Sequence, residues 1–161
     1  MRQQVRIAAT TFALLALTVP ARADWPPSHW GMTAAEVVAA VPDAIEVRRK
    51  PGGGQDVWDH HRLAVAPMVL EGEAGQAEYY FHPDDKKLGL VRMEPDDISR
   101  CPALRDALVA RYGDGTPMEE RFGLSGMRWT DADNGDRMLF AMVSHSDGTT
   151  IHCHFIVQEP E

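Results

Sequence analysis

Two cysteines, Cys101 and Cys153, are all the thiol chemistry this 161-residue chain has. They form no Cys-x-x-Cys spacing, which argues against a redox-active pair. Positive charge is also scarce: 16 Lys and Arg stand against 24 Asp and Glu. No Lys/Arg stripe offsets that acidity, so nucleic acid is excluded as a partner on electrostatic grounds. Long apolar runs are missing too. The longest, Ile7 to Val19, is too short to cross a bilayer as a helix, which takes about 20 apolar residues. No cysteine follows it, so no lipid attachment point is on offer.

That apolar run reads instead as a processing signal. Arg2 and Arg6 precede it, Pro20 breaks it, and Ala21-Arg22-Ala23 supplies the small residues of a cleavage site. Residues 1–23 are therefore expected to be a signal peptide, and residues 24–161 one soluble periplasmic or secreted domain without a membrane anchor. Removing Arg2, Arg6 and Arg22 leaves 13 basic and 24 acidic residues in the mature chain, a net charge of −11. A basic patch on a partner protein, or a cation, suits such a surface.

Two helices can be read. In "WGMTAAEVVAAVP", Thr33 and Glu36 have the spacing of a capping box, and Met32 and Val37 that of a hydrophobic staple. Val37, Val38 and Val41 form the apolar stripe, and Pro42 stops a helix of about two turns. In "SRCPALRDALVARYGDG", Pro102 is tolerated near the helix start and Gly113 closes it. Cys101, Leu104, Leu108 and Tyr112 recur at three- and four-residue spacing and share one face.

Similar strand patterns follow each helix. After the first come Ile45 and Val47, then Leu63 to Leu70 interrupted by Pro67. A hairpin of Gln76–Phe81 with Leu88–Met93 follows, ending in Glu94-Pro95. After the second come Met127 to Thr130, then a hairpin of Arg137–Val143 with Thr150–Gln158, ending in Glu159-Pro160. The expectation is an α+β fold: two αβββ units, residues 24–98 and 99–161, forming one antiparallel sheet with both helices on one face. The loop "KPGGGQD" is expected to be the most mobile part of the first unit.

These motifs carry a resemblance. The "W-G-M-T-x-x-E-V" helix start, the "Y-G-D-G-x-P" helix end and the late "M-R-W" strand resemble small bacterial envelope proteins built from αβββ units. The β-lactamase inhibitor protein and the small lipoprotein of the barrel-assembly machinery are of that type. The likeness covers Trp30 to Val157 and implies a sheet face that binds another protein. The missing acylatable cysteine departs from the lipoprotein, as does the presence of two units.

Side chains alternate along a strand. Ile151, Cys153, Phe155 and Val157 point one way and are apolar, so they belong under the helices. If the hairpin turns around Asp147, Leu139, Ala141 and Val143 join them. Cys153 then meets the face of the second helix, and a Cys101–Cys153 disulfide follows. Closing that loop of about 52 residues contributes roughly 4 kcal/mol in the chain-entropy account. The other face would carry Met138, Phe140, Met142, His152, His154 and Ile156, an apolar, Met-rich docking surface. Glu78, Tyr80 and His82 extend it if the first hairpin has the matching polarity.

His152 and His154, two residues apart on a strand, lie about 7 Å from each other and can share an ion. Met138 or Met142 beside them suits a soft ion such as Cu(I), and zinc is the alternative. The sequence brings no third ligand into place.

Other signals fail. "DADNGD" has Gly135 at position five of a calcium loop instead of six, and Met142 where the bidentate Glu belongs, so it reads as an Asn-Gly hairpin turn. "GLSG" lacks the second glycine of a nucleophile elbow, and "PGGGQD" has no phosphate-binding lysine. His60 and His61, being adjacent, point apart in a strand. The expectation is a non-catalytic, cofactor-free protein-binding or inhibitor-like domain acting through the sheet face. Metal binding at His152 and His154 is the alternative, and an enzyme is the weakest class.

Overall fold

The computed structural model describes residues 27–48 and 56–161. The expected signal peptide and most of the glycine-rich loop lie outside those residues. In chain order the elements are α1 (Ala34–Ala40), β1 (Ile45–Glu46), β2 (Asp56–Val57), β3 (His60–Leu70), β4 (Glu73–Phe81) and β5 (Leu88–Pro95). A 3-10 turn (Ile98–Arg100) leads into α2 (Cys101–Tyr112). Strands β6 (Thr116–Pro117), β7 (Leu124–Thr130), β8 (Arg137–Ser144) and β9 (Thr150–Gln158) complete the chain. The class is α+β, with one antiparallel sheet in the order β1-β3-β4-β5-β9-β8-β7-β6 and β2 paired onto β3.

Both helices follow their local signals. Thr33 accepts from the Glu36 backbone N–H while the Glu36 carboxylate accepts from the Thr33 backbone N–H, closing the capping box. Cys101, Leu104 and Leu108 of α2 are fully buried, and Tyr112 stacks on Phe155 with ring centroids 6.2 Å apart. The "DADNGD" segment is a turn, joining β7 to β8 through the Asp131 N–H to Asp136 carbonyl bond of 2.8 Å. Pro67 does not break β3, because β1 pairs with β3 only at Ala64 and Val65. Its missing N–H therefore faces an open edge.

The sheet parity places both helices on one face. Val91 and Met93 of β5 alternate to the same side. Around Val91, α1 packs Val37 and Val41 against Ala64, Ala66, Ala77 and Tyr79. Around Met93, α2 packs against Phe140, Phe155, Val157 and Trp129. Cys101 and Cys153 are bonded across this second core, with Cα atoms 6.0 Å apart. The Trp30 indole N–H donates to Asp136 Oδ1 at 2.8 Å, tying the start of the described chain to the β7–β8 turn.

One expectation is reversed. At the β8–β9 turn Ser144 pairs with Thr150, the register that a turn around Asp147 dictates. Immediately beyond, Val143 pairs with His152, so Ile151 is the extra residue of a β-bulge and is exposed. A one-residue shift moves every side chain of the partner strand to the other face. Met142 therefore lies opposite Cys153, Phe140 opposite Phe155 and Met138 opposite Val157, all under the helices. Phe140 is 0% exposed. Leu139, Ala141 and Val143, expected inside, lie on the face away from the helices.

Candidate functional site

The face away from the helices is built by alternate residues of β3, β4, β5, β9, β8 and β7. From the expected docking set it keeps His152, His154 and Ile156. Met138, Phe140 and Met142 are lost to the core. Ile156 is itself buried, packed with Tyr80, Leu90 and Leu139. The polarity of the first hairpin does match, since Glu78 pairs with Arg92 and Arg92 with Ile156.

An ion-pair network crosses the middle of this face. Glu78, only 3% exposed, is held by Arg62, by Arg92 Nε at 2.7 Å and by the Tyr80 hydroxyl at 2.8 Å. Burial alone would raise the Glu78 carboxyl, but Arg92, the Tyr80 hydroxyl and Arg62 outweigh it and hold it below the usual range. Arg92 also reaches Glu94 at 2.9 Å. His152 Nε2 lies 3.8 Å from Glu94 and 3.2 Å from His154 Nδ1. Burial, then Arg92 and His152, lower the His154 pKa to about 4. A cation shared by His152 and His154 would meet the Arg92 guanidinium, and Met142 is on the wrong side of the sheet to join them.

Beside the network, the β2–β3 hairpin folds over the same face. Val57 packs with Tyr80, Leu90 and Ile156. Val57 pairs with His60, leaving Trp58 and Asp59 as a two-residue loop with φ of 44° and 67°. Positive φ at both positions is the mark of a type I′ turn, which normally selects Asn and Gly. Trp58 thereby stands 54% exposed at one wall of a cleft of about 470 Å³. Leu139 and Ile156 line it with Arg128, Arg137 and Gln158.

A second cluster sits where β3 begins and β4 and β9 end. His60, His82 and Glu159 each turn one ligating atom inward, and those atoms lie within 4.8 Å of one another. His82 Nε2 contacts Glu159 Oε1. His60 Nδ1 is 2.9 Å from the Trp58 carbonyl, so that nitrogen donates and Nε2 is left as an acceptor.

Sequence adjacency relates His60 only to His61, from which it points away, and so hides this cluster. The usable signal is the pairing of β3 with β4: Arg62 opposite Tyr80 puts His60 opposite His82. Nothing local marks Glu159, which lies 77 residues from His82. No helix among the described residues is long and apolar enough to cross a membrane. Comparison of the chain with protein-family models, with curated proteins and with solved structures finds no match.

Proposed function

We propose that this chain is a non-catalytic binding domain, periplasmic or secreted, that holds a segment of a partner protein in the cleft beside Trp58. The observation that carries the reading is Trp58 itself. A bulky residue held at φ 44° costs about 1–2 kcal/mol, and here the strain presents a half-exposed indole to an apolar floor. Strained backbone of this kind clusters at binding sites, and Trp and Arg are the residues that dominate binding hot spots. Arg128 and Arg137 flank the cleft; Arg137 already pairs with Glu161, so Arg128 is the guanidinium offered to a ligand carboxylate, which it can grip in a fixed fork geometry. The bound segment therefore carries an acidic side chain beside an apolar one. The acidity of the whole chain favours a basic partner at long range; Arg128 in the cleft governs the contact.

Further support comes from two features. The Cys101–Cys153 bond suits an oxidising compartment. The chain also reads as two related halves: a helix and the meander β3–β4–β5, then a helix and the meander β7–β8–β9, joined through β5 and β9. In that plan the helices take one sheet face and leave the other for binding.

A photo-crosslinking residue at position 128, compared with one at exposed Ala110 on α2, tests the face in cells. The partner recovered should then bind the purified protein, and Trp58→Gly with Arg128→Glu should weaken that binding at least tenfold. Equal crosslinking at both positions, or unchanged affinity in the double variant, sinks the reading.

A further inference from the structure

The His60, His82 and Glu159 cluster has three features that an ordinary ion pair does not need. The first is His60. It is 6% exposed, and its Nε2 has no hydrogen-bond partner among the described residues. A buried polar nitrogen is normally paired. This one has its tautomer set by the Trp58 carbonyl, the arrangement by which metal-ligating histidines are usually oriented.

The second is Gly89. The β4–β5 register passes from Tyr80 opposite Leu90 to Phe81 opposite Leu88, so Gly89 is the extra residue of a bulge. Bulges re-aim side chains and recur beside functional sites. A Cβ placed on Gly89 would stand 2.5 Å from His82 Nε2, 2.9 Å from His60 Nε2 and 3.0 Å from Glu159 Oε1. The three ligand atoms thus converge over the bulge, where any side chain at position 89 would crowd them.

The third is the support of Glu159. Its backbone N–H donates to the Gly89 carbonyl at 3.1 Å, which fixes the carboxylate's strand end against the bulge. Three chain segments distant in sequence are held together at this point by sheet pairing.

We propose that His60 Nε2, His82 Nε2 and Glu159 Oε1 bind one divalent ion of the zinc class. Zinc bonds to nitrogen and oxygen are about 2.0–2.2 Å long. Three such ligands on one tetrahedral ion stand about 3.4 Å apart, so ligand atoms already within 4.8 Å of one another reach that spacing through side-chain movements of about 1 Å. Two borderline imidazole nitrogens with one carboxylate form a ligand set that suits Zn2+. Cu(I) prefers sulfur, while calcium and magnesium prefer all-oxygen shells. Three protein ligands leave the fourth tetrahedral position to water or to a group on a partner. The ion site goes beyond the cleft reading, although the two share the β2–β3 turn: the Trp58 indole walls one and its carbonyl orients a ligand of the other.

The test is zinc titration of the chelator-stripped, purified protein against a chromophoric competitor. Co2+ absorption then reports the coordination geometry. One ion per chain is expected, with tetrahedral Co2+ bands. His82→Ala and Glu159→Gln should each weaken binding about 100-fold, the upper end of what even a ligand's supporting partner costs. Gly89→Ala keeps every ligand but drives a methyl against all three ligand atoms, and should weaken binding at least tenfold. His152→Ala should leave it unchanged. Zinc should raise the unfolding temperature of the wild type but not of Glu159→Gln. His60→Ala carries a risk of misfolding, so the other three site variants decide, each checked for native circular dichroism. Failure to bind zinc stoichiometrically overturns the proposal. So does binding that survives both His82→Ala and Glu159→Gln, or that is lost with His152→Ala. These outcomes leave the cleft reading untouched, since its variants, Trp58→Gly and Arg128→Glu, alter no ligand side chain.

Discussion

Replacing Glu78 with alanine strands two arginines on the sheet face, and the geometry sets the scale of the damage. Glu78 is 3% exposed and is the shared counterion of Arg62 and Arg92. Removing one partner of a buried ion pair costs about 3–5 kcal/mol, because the remaining charge stays desolvated. The two arginine side chains are 18% and 22% exposed, so water reaches both, and Arg92 keeps Glu94 at 2.9 Å. Both facts place the loss near the lower end, about 3 kcal/mol. For a domain of this size that lowers the melting temperature by about 12 °C.

A triple variant, Arg62→Met with Glu78→Leu and Arg92→Met, removes all the charges together and should be neutral or more stable by about 1–4 kcal/mol. The effect also has a pH signature. The folded-state pKa of Glu78 lies below its ordinary value. Its contribution is therefore complete above the unfolded pKa of about 4.3 and is lost as pH falls through the lower folded value. Urea unfolding followed by circular dichroism from pH 7 to pH 3 measures both quantities. A Glu78→Ala penalty below about 1 kcal/mol, or a penalty that stays constant down to pH 3, refutes the reasoning.

Three further outcomes follow from the same geometry. Reduction, or Cys101→Ser with Cys153→Ser, reopens a loop of 52 residues and should cost about 4 kcal/mol in the chain-entropy account, read from urea midpoints with and without reductant. Phe140→Asp should collapse the fold, since even truncation of a buried Phe costs about 3–5 kcal/mol and this one is fully enclosed; a folded Phe140→Asp protein by circular dichroism contradicts the register. His154, with its pKa lowered to about 4, should stay neutral in an NMR titration from pH 7 to pH 5. The unfolded chain takes up that proton first, so stability falls as pH drops from about 6.5 towards 4. A His154 midpoint near 6.5 contradicts the burial argument.

How much of this was legible depended on the distance over which each signal acts. The capping box at Thr33 and Glu36, the stripe from Cys101 to Tyr112 and the Asn-Gly turn are decided within a few residues. The sequence alone therefore determined where both helices begin and that β4–β5, β7–β8 and β8–β9 are hairpins, while the β2–β3 turn at Trp58 and Asp59 was not legible in it. Alternation in β9 placed Cys153 on the α2 face, which was enough to join it to Cys101. The face of β8 was not decided that way. One bulged residue, Ile151, reversed it, and nothing in the composition of "DGTTIHC" separates a bulged strand from a regular one. The bulge is favoured because it buries Phe140, Met138 and Met142 together with Phe155 and Val157, a packing gain that exists only once α2 covers the sheet.

The sites lie still further from the local pattern. Trp58 walls the cleft because a strained turn holds its side chain out beside the stretch lined by Leu139 and Ile156. His60, His82 and Glu159 converge because β3 and β5 begin where β4 and β9 end, around a glycine whose lack of a side chain avoids crowding them. Propensity and alternation act between neighbours and determined the elements. Register and edge alignment are set by packing across the whole sheet, so only the tertiary structure could decide which side chains meet.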